Sequence, residues 1–276
     1  KDYMMADLLF HVESDEGFGL AEKNGFFTEN VGKSLPTIHI TCGIKTKTDW
    51  WDGETANSTG ITFRENATGF DVYLRDGKGS LSHLIKGQFG SSFYQSVSQP
   101  NQSYPFDKAV GEVIFRTSIL YYNGVVIHAS AIEADGKGII FSAPSGTGKS
   151  TQAGLWCKHK NAVLLNGDRP ALRLIEEGVY VYGTMWSGKT YDAKNASAPL
   201  KAIVLLEQAQ ENTLKRLTPG ESVGFVMPRC FLPYGLTELM SLAISNMDEI
   251  LKRTPVYLLR CRPDKEAVEL LFNTLF

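Results

Sequence analysis

The sequence lacks most of the features that would take it outside the class of ordinary folded domains. Cysteine occurs four times in 276 residues, at Cys42, Cys157, Cys230 and Cys261, and never as a CxxC pair. The reading is four reduced, mostly buried thiols rather than a disulfide framework. No apolar run approaches the ~20 residues that cross a bilayer as a helix. The chain starts at Lys1 rather than Met, and its first residues do not read as a signal peptide. Neither sign of charge dominates: 28 Lys and Arg stand against 30 Asp and Glu, a formal net charge of −2. Such a balance offers no broad basic field to nucleic acid or to an anionic membrane. The expectation is a cytoplasmic chain with neither nucleic acid nor membrane as partner. What is present is 43% hydrophobic and 21% charged residues, enough to bury a core. The length fits one large or two ordinary domains.

Two halves differ in texture. Residues 1–105 read as short strands broken by turns, a β-rich N-terminal domain that is a candidate for substrate or partner recognition. Strands are expected at 8–12, 37–42, 60–63 and 70–74. Phe70-Asp71-Val72-Tyr73-Leu74 alternates as a half-buried strand does, and Asp76-Gly77 signals a hairpin. Trp50 and Trp51 lie in this half, and its histidines, His11, His39 and His83, read as strand-face residues rather than ligands. Residues 96–104, rich in Ser, Gln, Asn and Pro, read as the linker out of it.

From residue 106 the pattern changes. Val110, Val113, Ile114, Thr117, Leu120 and Tyr121 recur at helical spacing, and Asn123-Gly124 supplies the stop. Residues 125–131 and 138–142 read as strands, with others at 162–165, 179–182, 202–206 and 255–261. Thr218-Pro219-Gly220-Glu221 is a capping box with proline at the first helical position. Two more helices are expected, one through Leu236, Leu239, Ala243, Met247 and Leu251 and one over 264–275. Elements in this order give an α/β domain over 106–276.

One segment carries chemistry. Ala143-Pro144-Ser145-Gly146-Thr147-Gly148-Lys149-Ser150-Thr151 lies between the strand at 138–142 and a helix expected over 152–159. A glycine-rich turn at such a junction aims successive backbone N–H groups at one point, with the positive end of a helix behind them. Residues 145–151 thereby read as a phosphate cradle, Lys149 bridging the β- and γ-phosphates and Ser150 placing its hydroxyl on Mg²⁺. Ala143 stands where the first glycine of GxxxxGK[ST] is usual, a tolerated variant because the tightest curvature falls on Gly146 and Gly148. ATP, or another nucleoside triphosphate, and Mg²⁺ are the expected cofactors.

Three further positions accompany the loop. Asn166-Gly167-Asp168-Arg169 follows the strand at 162–165, where P-loop enzymes carry a second metal-binding carboxylate, and Asp168 reads as that group. The alternative is a turn ahead of Pro170. His128, within Val125-Val126-Ile127-His128-Ala129-Ser130, reads on its own as mid-strand packing. The turn Gly183-Thr184-Met185-Trp186-Ser187-Gly188-Lys189 reads either as a substrate clamp through Trp186, Ser187 and Lys189 or as an exposed loop.

The ordered set of His128-Ala129-Ser130, Ser145-Gly146-Thr147-Gly148-Lys149-Ser150 and Asn166-Gly167-Asp168-Arg169 resembles the C-terminal domain of HPr kinase/phosphorylase. That family has a histidine on the strand before the loop, a Ser-Gly-x-Gly-Lys-Ser loop, and an Asp-Asp-Arg signature after the next strand. The resemblance covers 106–276. It is nearer still to HPr-kinase-like proteins that phosphorylate a serine of lasso-peptide precursors, which also carry WSGK, PLKAIVLLEQ-like and PVYLLRCRPD-like segments. It implies the PEP carboxykinase/HPr kinase-like fold, a P-loop α/β domain with a mixed sheet, preceded here by the smaller β-rich region. It further implies ATP- and Mg²⁺-dependent phosphoryl transfer to a peptide or protein serine. Asp168, His128, Lys149 and Arg169 would be catalytic, and Ser150 and Asp168 would hold the metal.

The chain departs from the signature at Gly167, which occupies the place of the first aspartate. Asp168 then covers both metal and base duties, unless His128 or the substrate supplies the base. Two alternatives stay open: a kinase for a small hydroxyl compound, and a non-catalytic nucleotide-binding regulatory module. Assembly as a homo-oligomer is open as well.

Overall fold

Residues 1–14, 25–28, 34–44, 60–98, 109–188 and 193–276 are described by the computed structural model of the chain. Trp50, Trp51, Lys189 and most of the expected linker lie outside these residues, as does the junction expected at 105/106. Backbone contacts group the chain into two units, Lys1–Tyr121 with Leu232–Ser241, and Tyr122–Phe231 with Leu242–Phe276.

In the first unit, alternating apolar residues build β1 (Asp2–Met5), β2 (Leu8–Ser14), β3 (Phe27–Thr28) and β4 (Thr37–Ile44). They are followed by β5 (Ile61–Glu65), β6 (Gly69–Arg75), β7 (Leu81–Gln88) and β8 (Phe93–Ser98). All eight form one sheet in the order β3-β1-β2-β4-β8-β7-β6-β5, parallel at β2/β4 and β4/β8. The expected turn at Asp76 closes the β6–β7 hairpin, its carboxylate accepting the N–H groups of Lys78 and Ser80 at 2.9 Å each. Helix α1 (Ala109–Ser118) sets Phe115 against Phe10, ring centroids 5.7 Å apart. It buries Glu112 and Arg116, one turn apart and 3.5 Å from each other. A 3₁₀ turn, Ile119–Tyr122, follows, and Asn123 closes it at φ 55°, a left-handed conformation that asparagine tolerates. The three histidines are strand-face residues: His11 Nδ1 lies 2.7 Å from Asp2 Oδ1, and His39 stacks on Phe93 at 4.8 Å. His83 Nδ1 is 2.9 Å from Ser82 Oγ.

The second unit is mixed α/β. Its strands are β9 (Gly124–Val126), β10 (Ala129–Ala134), β11 (Lys137–Ser142), β12 (Val163–Asn166) and β13 (Ala171–Ile175). Then come β14 (Gly178–Tyr182), β15 (Ser197–Gln208), β16 (Thr213–Arg216) and β17 (Val256–Cys261). Helices α2 (Lys149–Lys160), α3 (Pro219–Val226) and α5 (Lys265–Leu275) belong to it, as does most of α4 (Thr237–Arg253). The sheet runs β12-β10-β11-β15-β14-β13-β9, with β17 beside β15 and β16 beside β17. Among the described residues of this unit, β11/β15 and β15/β17 pair in parallel and the other strand pairs are antiparallel. The long β15 joins the two parts, pairing with β14 through its first residues and with β11 and β17 through the rest. The capping box forms as expected: Thr218 Oγ1 accepts from Glu221 N and Glu221 Oε2 from Thr218 N.

Two expectations are corrected here. Residues 125–131 are not one strand. Val125 and Val126 pair with β13, whereas Ala129 onward pairs with β11 and β12, so the chain bends to change neighbours. His128 sits in that bend rather than in mid-strand. Helix α2 begins at Lys149, inside the glycine loop, rather than at residue 152. Its anchor is Trp156, fully buried with Phe141 and Phe272 at 6.1 Å on either side. Truncating a ring so enclosed costs about 3–5 kcal/mol, so the helix and its first turn are held firmly.

Candidate functional site

The glycine loop sits where β11 hands over to α2, at the carboxyl end of a strand whose neighbour is parallel. That is the end of an α/β sheet where ligands bind. Gly146 and Gly148 adopt φ of 81° and 117°, values that a side chain would disfavour. Gly148 is the N-cap of α2, and no side chain caps it. The amide end of the helix is thereby presented to the loop, as anion binding requires. Lys149 is buried, and its Nζ donates to the carbonyls of Ala143 (3.0 Å) and Pro144 (3.4 Å). An ammonium has three N–H donors, which leaves one to reach a phosphate oxygen. Ser145 and Gly146 are exposed, Thr147 and Gly148 half-buried, and Ser150 and Thr151 exposed along the first turn.

Asp168 is fixed by a second, distant set of contacts. Asn166, at the end of β12, is fully buried, and its Oδ1 accepts the N–H groups of Asp168 (2.9 Å) and Arg169 (2.7 Å). Its Nδ2 donates to Thr184 O (3.0 Å), Thr184 Oγ1 (3.2 Å) and Trp186 O (3.4 Å). One amide therefore ties the turn that carries Asp168 to the 184–186 segment. Thr184 Oγ1 adds a bond to Arg169 O at 2.7 Å, and Ser130 Oγ one to Gly167 O at 3.1 Å. Within the turn expected at 183–189, Thr184, Trp186 and Ser187 are 0%, 7% and 6% exposed, so these side chains are not on the surface. Gly188, at φ +71°, passes so close to Asp168 that an added Cβ would lie 3.0 Å from the Asp168 Cβ.

His128 and Arg169 both meet this carboxylate. His128 Nε2 lies 3.2 Å from Asp168 Oδ1, and Arg169 Nε lies 3.2 Å from Asp168 Oδ2. The Arg169 guanidinium also lies over the Phe231 ring, 5.2 Å from its centroid, which fixes its plane. Burial, and then the nearby Lys149 ammonium, push the His128 imidazole below its usual range, against the pull of Asp168. Burial likewise lowers Lys149, with Asp168 opposing and Arg229 reinforcing the effect. Lys149, Asp168, His128 and Arg169 thus share one electrostatic neighbourhood, although they come from three separate segments.

A cleft of about 790 Å³ opens beside the loop. Gly146, Thr147, Gly148 and Thr151 form one wall, and the ends of β15 and β17, Gln208 and Arg262 among them, form the other. Gln208 Nε2 donates to Thr147 O at 3.3 Å, tying that wall to the loop. The donor set also bears on a metal. Among the described residues no cluster of three or more His, Cys, Asp or Glu could cage an ion. One carboxylate and one hydroxyl fit Mg²⁺ that arrives with phosphate oxygens and keeps several waters, as that ion commonly does.

Sequence reasoning missed Asn166 as the clamp, Gly188 as the wall behind Asp168, and Arg229. Asn166 had a local signal, since asparagine two residues before a turn amide is an Asx-turn pattern. Arg229 had none: it reaches the site only because Phe231 N bonds Val126 O (2.9 Å) and His128 N bonds Arg229 O (2.8 Å).

Residues 106–228 match a family model described as SynChlorMet cassette protein ScmC. No curated protein matches the chain. Among solved structures, the Hpr(Ser) kinase/phosphatase from Coxiella burnetii is similar at 11% identity and a TM-score of 0.33, over 54% of this chain and 94% of that one. No helix among the described residues is long and apolar enough to cross a membrane.

Proposed function

We propose that the second unit is a P-loop domain of the HPr kinase/PEP carboxykinase-like type. In this reading it transfers the γ-phosphoryl group of ATP to a hydroxyl, that of a serine in a peptide or protein. The observation that carries it is a convergence: an uncapped glycine-loop helix start with Lys149, and an Asp168 carboxylate in contact with His128 and Arg169. These groups come from three segments of the sequence, around residues 128, 149 and 168. The loop amides and Lys149 would hold the phosphates, and the adjoining cleft would take the nucleoside. Ser150 and Asp168 would hold Mg²⁺, which when bound neutralises charge on the phosphates. As the acceptor oxygen bonds to the γ-phosphorus and the bond to the β–γ bridging oxygen breaks, ADP leaves. The hydroxyl proton passes to Asp168. The serine acceptor rests on the sequence resemblance.

A second reading, a nucleotide-binding module without transfer, is favoured by Gly167, where related signatures carry a carboxylate. One experiment separates the two. The wild-type chain and Gly167→Asp are incubated with Mg²⁺, γ-labelled ATP and a library of serine-containing peptides, and melting temperature is followed in parallel. The kinase reading expects label on serine, or slow release of phosphate to water, with a rise in Gly167→Asp. The rise is bounded by the ~10²–10⁴-fold that a positioned base provides. The melting temperature shows whether the variant keeps its fold. A stable Gly167→Asp protein that binds ATP and moves no phosphoryl group leaves the non-catalytic reading standing.

A further inference from the structure

The cleft beside the glycine loop has an opposite wall built from strand ends. Strands β15 and β17 finish side by side there, Gln208 level with Cys261, and Arg262 is the first residue beyond β17. Its backbone is pinned, since Arg262 N donates to Asn212 Oδ1 at 2.8 Å and Ala209 N to Cys261 O at 3.1 Å. Its guanidinium is pinned as well, through all three nitrogens. Nε donates to Asp264 Oδ2 at 2.7 Å, Nη2 to Glu266 Oε2 at 2.5 Å and Nη1 to Gln210 O at 3.3 Å. Asp264 is itself held, capping α5 through Ala267 N at 3.0 Å and accepting from Asn212 Nδ2 at 3.0 Å.

These contacts decide what the arginine can meet. Guanidinium N–H groups lie in one plane, so the acceptors occupy its edges, and two of the three are carboxylates. No net positive charge is left over for a phosphate. What remains is the flat face, and among the described residues no aromatic ring lies over it. Such a face, on a side chain that is 44% exposed and lines the cleft, suits a flat neutral ring, on which guanidinium planes stack. Two neighbouring polar side chains are already engaged: Glu207 pairs with Arg260 at 2.7 Å, and Gln208 Nε2 donates to Thr147 O at 3.3 Å. Leu206, Ala209 and Pro263 add apolar surface, which leaves little on this wall to read the hydrogen-bonding edge of a base. The two walls thus suit the two ends of a nucleotide, the loop amides its phosphates and the Arg262 face its base.

We propose, resting on the nucleotide reading above, that Arg262 is the platform on which the nucleobase stacks. The site then reads the face of the base rather than its edge, and it accepts purine triphosphates with little preference between them. Stacking is tolerant in this way because every base has a π-face.

The test uses the intact chain and Arg262→Lys, which keeps a cation for Asp264 and Glu266 but removes the plane. MgATP, MgGTP and magnesium tripolyphosphate, which carries the phosphates without a base, are titrated into each by calorimetry. In the wild type, ATP and GTP are expected to bind within ~5-fold of each other and tripolyphosphate ~10-fold or more weaker, the order that stacking of one base contributes. In Arg262→Lys both nucleotides should fall to the affinity of tripolyphosphate, which itself should not change. A thermal melt shows whether the variant is folded; if it is not, the wild-type comparison of the three ligands still decides. A wild-type preference of ~10²-fold for one nucleotide, or tripolyphosphate binding as tightly as ATP, overturns the platform and leaves the nucleotide reading intact. Unchanged nucleotide affinity in folded Arg262→Lys does the same, as does an equal loss for tripolyphosphate, since Arg262 would then serve the phosphates. A wild-type chain that binds none of the three ligands overturns the nucleotide reading together with the platform.

Discussion

Each unit is built on a large mixed sheet and each bears a cleft, but the two clefts are made differently. That of the first unit, about 440 Å³, is lined by neighbouring side chains on one sheet face, including His39, Asp71, Lys86, Phe93 and Gln95. Its charges balance locally, Lys86 lying 3.8 Å from Asp71 on the adjacent strand. The buried pair of that unit, Glu112 and Arg116, is likewise local, one turn apart on one helix. In the second unit the charged groups arrive from residues 128, 149, 168, 169 and 229, and the cations outnumber the carboxylate that faces them. Local, balanced polar pairs are what sheets and helices make on their own account. Convergence of unbalanced charge from separate segments has no such local cause, and the proposal of a ligand site in the second unit rests on it.

The comparison can be broken, first, at its carboxylate. Asp168→Asn keeps the shape and the turn amides but removes the charge that faces His128 and Arg169. Turnover is expected to fall by ~10²–10⁴-fold with a melting temperature close to wild type. Steady-state kinetics beside a thermal melt checks this, and unchanged phosphoryl transfer moves both metal and base duties elsewhere.

A smaller and mixed effect is expected at the clamp. Asn166→Ala leaves the N–H groups of Asp168 and Arg169 without their acceptor and frees the 184–186 segment. An unmet buried donor costs ~1–3 kcal/mol, so chemical denaturation should show a loss of that order, accompanied by lower kcat. Loss of stability with full kcat would make Asn166 a structural residue alone.

The smallest effect belongs to a motif that is local even within the second unit. The bond from Lys215, then those from Thr218, hold the Glu221 carboxyl at about 2, below its ordinary 4.5. A carboxyl lowered on folding contributes stability above its unfolded value and loses it as pH falls through the folded one. The advantage of wild type over Glu221→Gln in melting temperature should therefore be full above about pH 4.5 and shrink toward pH 2, with turnover at neutral pH unchanged. Melts across that range measure it.

What was legible in the sequence follows the same division. Strands with alternating faces, such as β2, the Asp76 hairpin and the capping box at Thr218 were all visible, because their causes lie within a few residues; β6 was found although Val72, Tyr73 and Leu74 are all buried rather than alternating. Strands β1, β7, β13 and β16 were not, being short or carrying no clean alternation, and they are strands because neighbours pair with them. The glycine loop was visible because its turn residues are consecutive in the sequence. The helix start at Lys149 was read three residues late, since propensity does not reveal that the loop itself supplies the first turn. The position of His128 was misread because a run of Val, Ile and Ala looks continuous whether or not the chain changes neighbours within it. Arg229 was invisible, since only the pairing of Phe231 with Val126 brings it to the site.

The measurement closest to the central claim is calorimetric titration of MgATP into the intact chain, into Lys149→Ala and into Lys86→Ala. Wild type and Lys86→Ala, whose cation sits in the balanced cleft of the first unit, are expected to bind alike. Removing the Lys149 ammonium should weaken binding by ~10²-fold, the order expected when a buried charge-assisted bond worth ~1.5–3 kcal/mol is lost along with the pairing of its neighbours. Equal affinity in all three proteins, or loss in Lys86→Ala alone, contradicts the assignment of the nucleotide to the glycine loop.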